Sequence, residues 1–76
     1  LLEAKVAYEN VIRTATNMTD RALLSLTYVA LAKIYEFYDD KSYAAAVYDK
    51  AIQLGPVTGG AHSEALTAKA RLIKEQ

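Results

Sequence analysis

Between Tyr28 and Pro56, small and large apolar residues recur at fixed intervals. The run is Tyr28-x-x-Leu31-Ala32-x-x-Tyr35, then Ala44-x-x-x-Tyr48-x-x-Ala51, then Pro56. Intervals of three and four place each group along one face of an α-helix. Small residues at Ala32, Ala44 and Ala51 let helix backbones approach closely, while Tyr28, Leu31, Tyr35 and Tyr48 fill the space around them. Two antiparallel helices of this kind cannot bury their apolar faces alone and must stack on neighbours. The tyrosine hydroxyls need a partner or water when buried, which predicts several of them at groove edges or beside loops.

The rest of the chain reads as helix as well, and no segment alternates with period two long enough to argue a strand. Helix one spans Leu2 to about Ala15, with Ala4, Val6, Ala7, Tyr8, Val11 and Ile12 at helical spacing. The segment Thr16-Asn17-Met18-Thr19-Asp20 is a turn in which Thr19 or Asp20 caps the next helix. Helix two runs to about Tyr38 and is apolar on nearly every face, which normally means enclosure on several sides. Asp39-Asp40-Lys41-Ser42 is the second turn, with Ser42 or Asp40 as cap. Helix three ends near Leu54, where Gly55 suits a left-handed position and Pro56 blocks continuation. Helix four runs from about Ala61 to Lys74. The expected class is all-α.

Shifted by 40 positions (44 − 4), Ala4 falls on Ala44, Tyr8 on Tyr48, Val11 on Ala51 and Ile12 on Ile52. Together with the Tyr28–Pro56 run, this resembles the tetratricopeptide repeat family, in a long-period variant, since the usual period is 34. The resemblance is close over 28–56, partial over 1–12 and poor after 61, where Lys69 and Arg71 stand at positions that want apolar or small residues. Asp39-Asp40-Lys41 replaces the common glycine-and-aromatic turn. The resemblance implies antiparallel helix-turn-helix repeats from an α-solenoid, all within one domain spanning 1–76. Residues 1–16 would be the second helix of a partial repeat, 20–56 one full repeat, and 61–75 the first helix of the next or a capping helix. A closed bundle such as the three-helix microtubule-interacting-and-trafficking domain would need fewer, longer helices than turns at Asn17, Asp39 and Gly55 permit.

Composition sets outer bounds. A chain of 76 residues buries only ~60% of the surface it exposes when unfolded, so helix packing must supply its stability. There is no cysteine, hence no disulfide staple and no thiolate metal site. Nine basic and nine acidic residues cancel and are interspersed, without the basic stripe that nucleic-acid binding uses. Apolar runs fall far short of the ~20 residues that span a bilayer. With no charged segment preceding an apolar one, there is no signal peptide to read, and a cytoplasmic location is the expectation. A start at Leu1 rather than methionine reads as a processed or excised piece of something longer.

Chemistry-bearing residues are few, and the expectation is that the chain is no enzyme and needs no cofactor or metal. His62, Ser63 and Glu64 are consecutive, and neighbours one or two apart on a helix do not face each other, so no catalytic triad arises there. Asp39-Asp40 lacks the converging oxygen ligands a divalent ion requires. Gly59-Gly60 has neither the Gly-Lys-Ser/Thr ending nor the strand of a phosphate loop.

The family resemblance implies a protein or peptide partner, held on a concave face lined by the first helix of each repeat. On this chain that face would comprise Leu26, Val29, Lys33, Glu36 and Phe37, three or four apart along helix two. Packing against neighbours accounts for Tyr28, Leu31 and Tyr35 but leaves Val29, Phe37 and Leu26 for another surface, unless, in a chain of only four helices, the same residues are buried against helix four or helix one. Exposed contiguous apolar surface usually marks an interaction site. Lys33 and Glu36 would orient a partner by ion pairs at its rim. The expected function is thus a non-catalytic interaction module, with a structural subunit buried permanently in a large complex as the alternative. Self-association through exposed apolar helix faces fits either reading.

Overall fold

The structure, a computed structural model, describes residues 1–16 and 18–75. Four helices account for most of them: α1 (Leu2–Arg13), α2 (Arg21–Phe37), α3 (Lys41–Gln53) and α4 (Ala61–Glu75). The class is all-α, and among the described residues there is no strand. The expected turn at Asn17 lies outside the described residues. No helix among those residues is long and apolar enough to cross a membrane.

Capping groups set the boundaries. Asp20 accepts from the Ala22 N–H at 2.8 Å and starts α2; Asp40 accepts from the Tyr43 N–H at 3.2 Å and starts α3. At the end of α2, Asp40 N–H donates to Tyr35 C=O and Asp39 N–H to Glu36 C=O, both at 2.9 Å. That paired pattern closes a helix through a left-handed residue, here Asp39 at φ 61°. Gly55, at φ 83°, ends α3 through its N–H to Ile52 C=O, and Pro56 has no N–H to add a second such bond. Helix α1 stops at Arg13, two residues short of the expected Ala15: Thr14 N–H still donates to Asn10 C=O at 3.0 Å, but Ala15 N–H turns to Ile12 C=O at 3.2 Å, a tighter closing turn.

The left-handed Asp39 yields a small, signed prediction. A side chain at that φ is strained, and glycine is not. Asp39→Gly is expected to stabilise the chain by ~0.5–1 kcal/mol, whereas Asp40→Ala, which removes a cap, costs about 1 kcal/mol. Urea unfolding of the two variants checks the opposite signs.

Each helix packs antiparallel on the one before it, and α4 returns beside α2 in the same sense. Lys33 of α2 pairs with Glu64 near the start of α4, and Glu36, further along α2, with Arg71 further along α4. The core is shared by α2, α3 and α4: Val29, Leu31 and Ala32, then Ala44, Val47, Tyr48 and Ala51, then Ala61, Ala65, Ala68 and Leu72. Helix α1 contributes no buried residue; it meets α2 alone at backbone contact distance, with Tyr8 and Ile12 resting against the core edge. Cα extents of 36 × 27 × 16 Å describe a slab under two helix diameters thick, so every helix keeps an exposed strip.

Candidate functional site

Parallel passage of α2 and α4 leaves a cleft of about 470 Å³ between them. Lys33 and Glu36 line it from α2, Ser63, Glu64, Thr67, Ala68 and Arg71 from α4, and Tyr48 of α3 reaches its floor. Lys33 and Glu64 form an ion pair across the cleft, with both side chains about half exposed. Pairs this wet are worth ~0–1 kcal/mol and exchange readily with charges on a ligand.

Glu36 behaves differently. One carboxylate oxygen accepts from the Tyr48 hydroxyl at 2.5 Å, the other from Arg71 Nη2 at 2.6 Å. The side chain therefore joins α2, α3 and α4 at one point. Burial, and then the bond to Glu36, push the Tyr48 hydroxyl well above the ordinary tyrosine range. The guanidinium of Arg71, held chiefly by Glu36, is raised as well. A parallel clamp fastens α3 to α4: Lys69 donates to Asp49 at 2.6 Å and, with help from Gln53, holds its carboxyl below the usual carboxylate range.

The five residues expected on one binding face part company. Leu26 and Phe37 are open to solvent, 54% and 70% exposed, with the Phe37 ring edge-on to Tyr38 at 5.4 Å. Lys33 lies on the cleft wall. Val29 does not belong to the face: at 1% exposure it is core, on the side of α2 shared with Ser25 and Ala32. Its spacing from Leu26 and Lys33 is helical, but a position between two faces is drawn inward when α3 and α4 cover one of them. Glu36 lines the cleft, yet both its oxygens are engaged internally, so it is no free rim charge.

Tyr48, Glu64 and Arg71 were not expected at this site. A signal for the last two existed: α4 carries acid then base in the order that complements Lys33 then Glu36 on α2. Lys69 and Arg71, which spoil the repeat resemblance, are the residues that bind α4 to α3 and α2. His62 and Ser63 sit in the first turn of α4, and Glu64 there faces Lys33 rather than either of them.

A second groove, about 320 Å³, runs between α1 and α3 over α2. Ile12, Tyr28, Leu31, Tyr43 and Val47 make it apolar, with Glu9, Arg13 and Lys50 also in its lining. The Tyr35 hydroxyl donates to Glu9 at 3.3 Å, and burial first, then Glu9, push it up to about 12. Tyr28 and Tyr43 thus line this groove and Tyr38 stands at the end of α2, as expected of several tyrosines, while Tyr8 and Tyr35 rest against the core and Tyr48 is buried at the floor of the other cleft.

Set against protein-family models, curated proteins and solved structures, the chain matches none of them. Its geometry defines an all-α chain of four helices, built on a three-helix core with a fourth helix along one side, and carrying a charged cleft between α2 and α4.

Proposed function

We propose that this chain is a stretch of tetratricopeptide-like helical repeat that holds a peptide or partner helix across α2 and α4. The observation that carries the reading is the cleft between those two helices, where Lys33 and Glu64 remain accessible, while Leu26 and Phe37 are exposed elsewhere on α2. Supporting it is the order in which helix backbones approach: α1 on α2, α2 on α3, α3 on α4, and α2 beside α4, while the backbones of α1 and α3 stay apart across a groove. Stacked helix pairs give this nearest-neighbour pattern. The wet Lys33–Glu64 pair on the walls suits an extended polar segment, and the exposed Phe37 and Leu26 of α2 would serve as its apolar anchors.

Peptides selected on the chain from a random library test the reading. Lys33→Glu and Phe37→Ala are each expected to weaken the selected peptides at least about tenfold, or ~1.4 kcal/mol, while Leu66→Lys, which lies outside the cleft lining, leaves them unchanged. Peptides insensitive to both substitutions sink the proposal. A second reading, a subunit held permanently in a large complex, is favoured by one observation: exposed apolar side chains stand on α1, α2 and α4 alike.

A further inference from the structure

We propose that the groove between α1 and α3 binds a small amphipathic carboxylate, an aliphatic or aryl chain that ends in one anionic group. The site lies apart from the α2–α4 cleft and does not depend on what that cleft holds.

This groove is not the outer face of an end helix. Ile12 walls it on α1, Tyr43 and Val47 wall it on α3, and Tyr28 and Leu31 of α2 form its floor, so both sides and the base come from the chain itself. Leu31 and Val47 are buried, Ile12 and Tyr28 half-buried, and Tyr43 exposed, which makes the trough apolar at its base and open at its lip. Its volume of about 320 Å³ falls at the small end of the range for small-molecule sites, which are mostly apolar with a few convergent polar groups.

Charge is unevenly placed along it. Helices α1 and α3 both run antiparallel to α2 and so run parallel to each other. Glu9 and Tyr43 both meet Tyr35, the first through its hydroxyl at 3.3 Å and the second ring to ring at 4.4 Å, so they share one end of the groove. Arg13 stands one turn further along α1 and Lys50 two turns further along α3, advances of ~6 Å and ~10 Å. Both cations therefore lie toward the other end, on opposite walls.

The anionic end is already compensated. Glu9 has Lys5 at 3.6 Å besides the Tyr35 hydroxyl, and Lys5 Nζ stands 5.5 Å from the centre of the Tyr35 ring. The cationic end is not. Arg13 donates to the neutral Asn10 side chain at 2.9 Å, and neither Arg13 nor Lys50 forms an ion pair among the described residues. Asp49, next to Lys50 in the chain, is tied to Lys69 of α4 instead. Two uncompensated cations at one end of an apolar trough select an occupant with an apolar body and one anionic head. The planar guanidinium of Arg13 suits a carboxylate, with Lys50 as the second charge.

The lining also disfavours an extended peptide here. The main chain around the groove is helical and bonded to itself, and between the charged ends only the Tyr28 and Tyr43 hydroxyls are polar. A peptide laid along it would bury N–H and C=O groups without enough partners, a cost that an alkyl or aryl chain does not carry.

Decanoate titrated into the isotope-labelled 76-residue chain and followed by amide chemical shifts tests the site. The expected result is saturable shifts concentrated around Ile12, Leu31 and Val47, with a Kd on the order of 1 mM or tighter. Decylammonium, with a similar apolar body and the opposite charge, is expected to bind at least about tenfold more weakly. That comparison uses the wild-type chain and needs no variant to fold. Arg13→Gln combined with Lys50→Gln, both at exposed positions, should keep its helicity by circular dichroism and weaken decanoate at least about tenfold. Ala46→Trp, exposed on the groove lining, should fill the trough and abolish the saturable shifts. Shifts that do not saturate or that spread over the exposed apolar residues of α1, α2 and α4 alike, decylammonium binding as tightly as decanoate, or a charge variant with wild-type affinity overturns the proposal.

Discussion

Tyr48→Ala is expected to abolish the cooperative unfolding transition of this chain. Tyr48 is 1% exposed and is the largest fully buried side chain. Truncating a buried aromatic residue costs ~3–5 kcal/mol. Small domains have in total ~0.05–0.15 kcal/mol per residue, so the loss is a large part of what a chain this short possesses. The substitution also strips Glu36 of one of its two partners at the point where three helices meet. Thermal melts followed by circular dichroism check it: a sharp transition retained within a few degrees of wild type would disprove the central role of this residue.

Tyr48→Phe separates the ring from the hydroxyl. Packing is kept, and the expected cost falls to about 1.5–3 kcal/mol, the range for losing one hydrogen bond to a charged acceptor. The same variant has a pH signature. Both Tyr48 and Tyr35 are raised above the unfolded tyrosine value near 10, Tyr35 to about 12. Their contribution is therefore complete below pH ~10 and is lost as pH rises through the folded values, because ionisation is resisted only in the folded chain. Wild-type stability should fall steeply above pH ~10, and Tyr48→Phe should lessen that fall while leaving the part due to Tyr35.

The Tyr48 result bears on what a sequence of this kind discloses. Helix limits were legible because caps are local: Asp20, Asp40 and Gly55 do their work within a few residues of where they stand. The small–large pattern was legible for the same reason, and Ala32, Ala44, Tyr48 and Ala51 are all core. The strip of α2 that stays exposed was only partly so. Helix α2 is apolar around nearly its whole circumference, so periodicity cannot say which strip stays wet; that depends on where α1, α3 and α4 come to rest. For Val29 the core, the alternative the sequence left open, is where the residue lies. Glu36 was read as a rim charge because its partners, Tyr48 and Arg71, lie 12 and 35 residues away, and nothing local announces them.

Ala44→Leu is the second substitution with a large expected effect, and it tests close approach of backbones rather than burial of a large side chain. Ala32, Ala44, Ala51 and Ala65 are each completely buried, distributed over α2, α3 and α4. Where small residues face one another, the neighbour is backbone, which cannot rotate away as a side chain can. Overpacking a dense interior costs ~1–3 kcal/mol, and a rigid surround argues for the upper end. Ser25 supplies the contrast: it too is completely buried, yet its hydroxyl has no hydrogen-bond partner. Ser25→Ala removes an oxygen that folding strips of water without compensation, so it should be neutral or raise stability by up to ~1 kcal/mol. Guanidinium unfolding of the two variants should therefore move the midpoint down for Ala44→Leu and leave it level or raise it for Ser25→Ala. An Ala44→Leu chain as stable as wild type would mean that α2 and α3 separate easily, and a core held that loosely could not fix the cleft between α2 and α4.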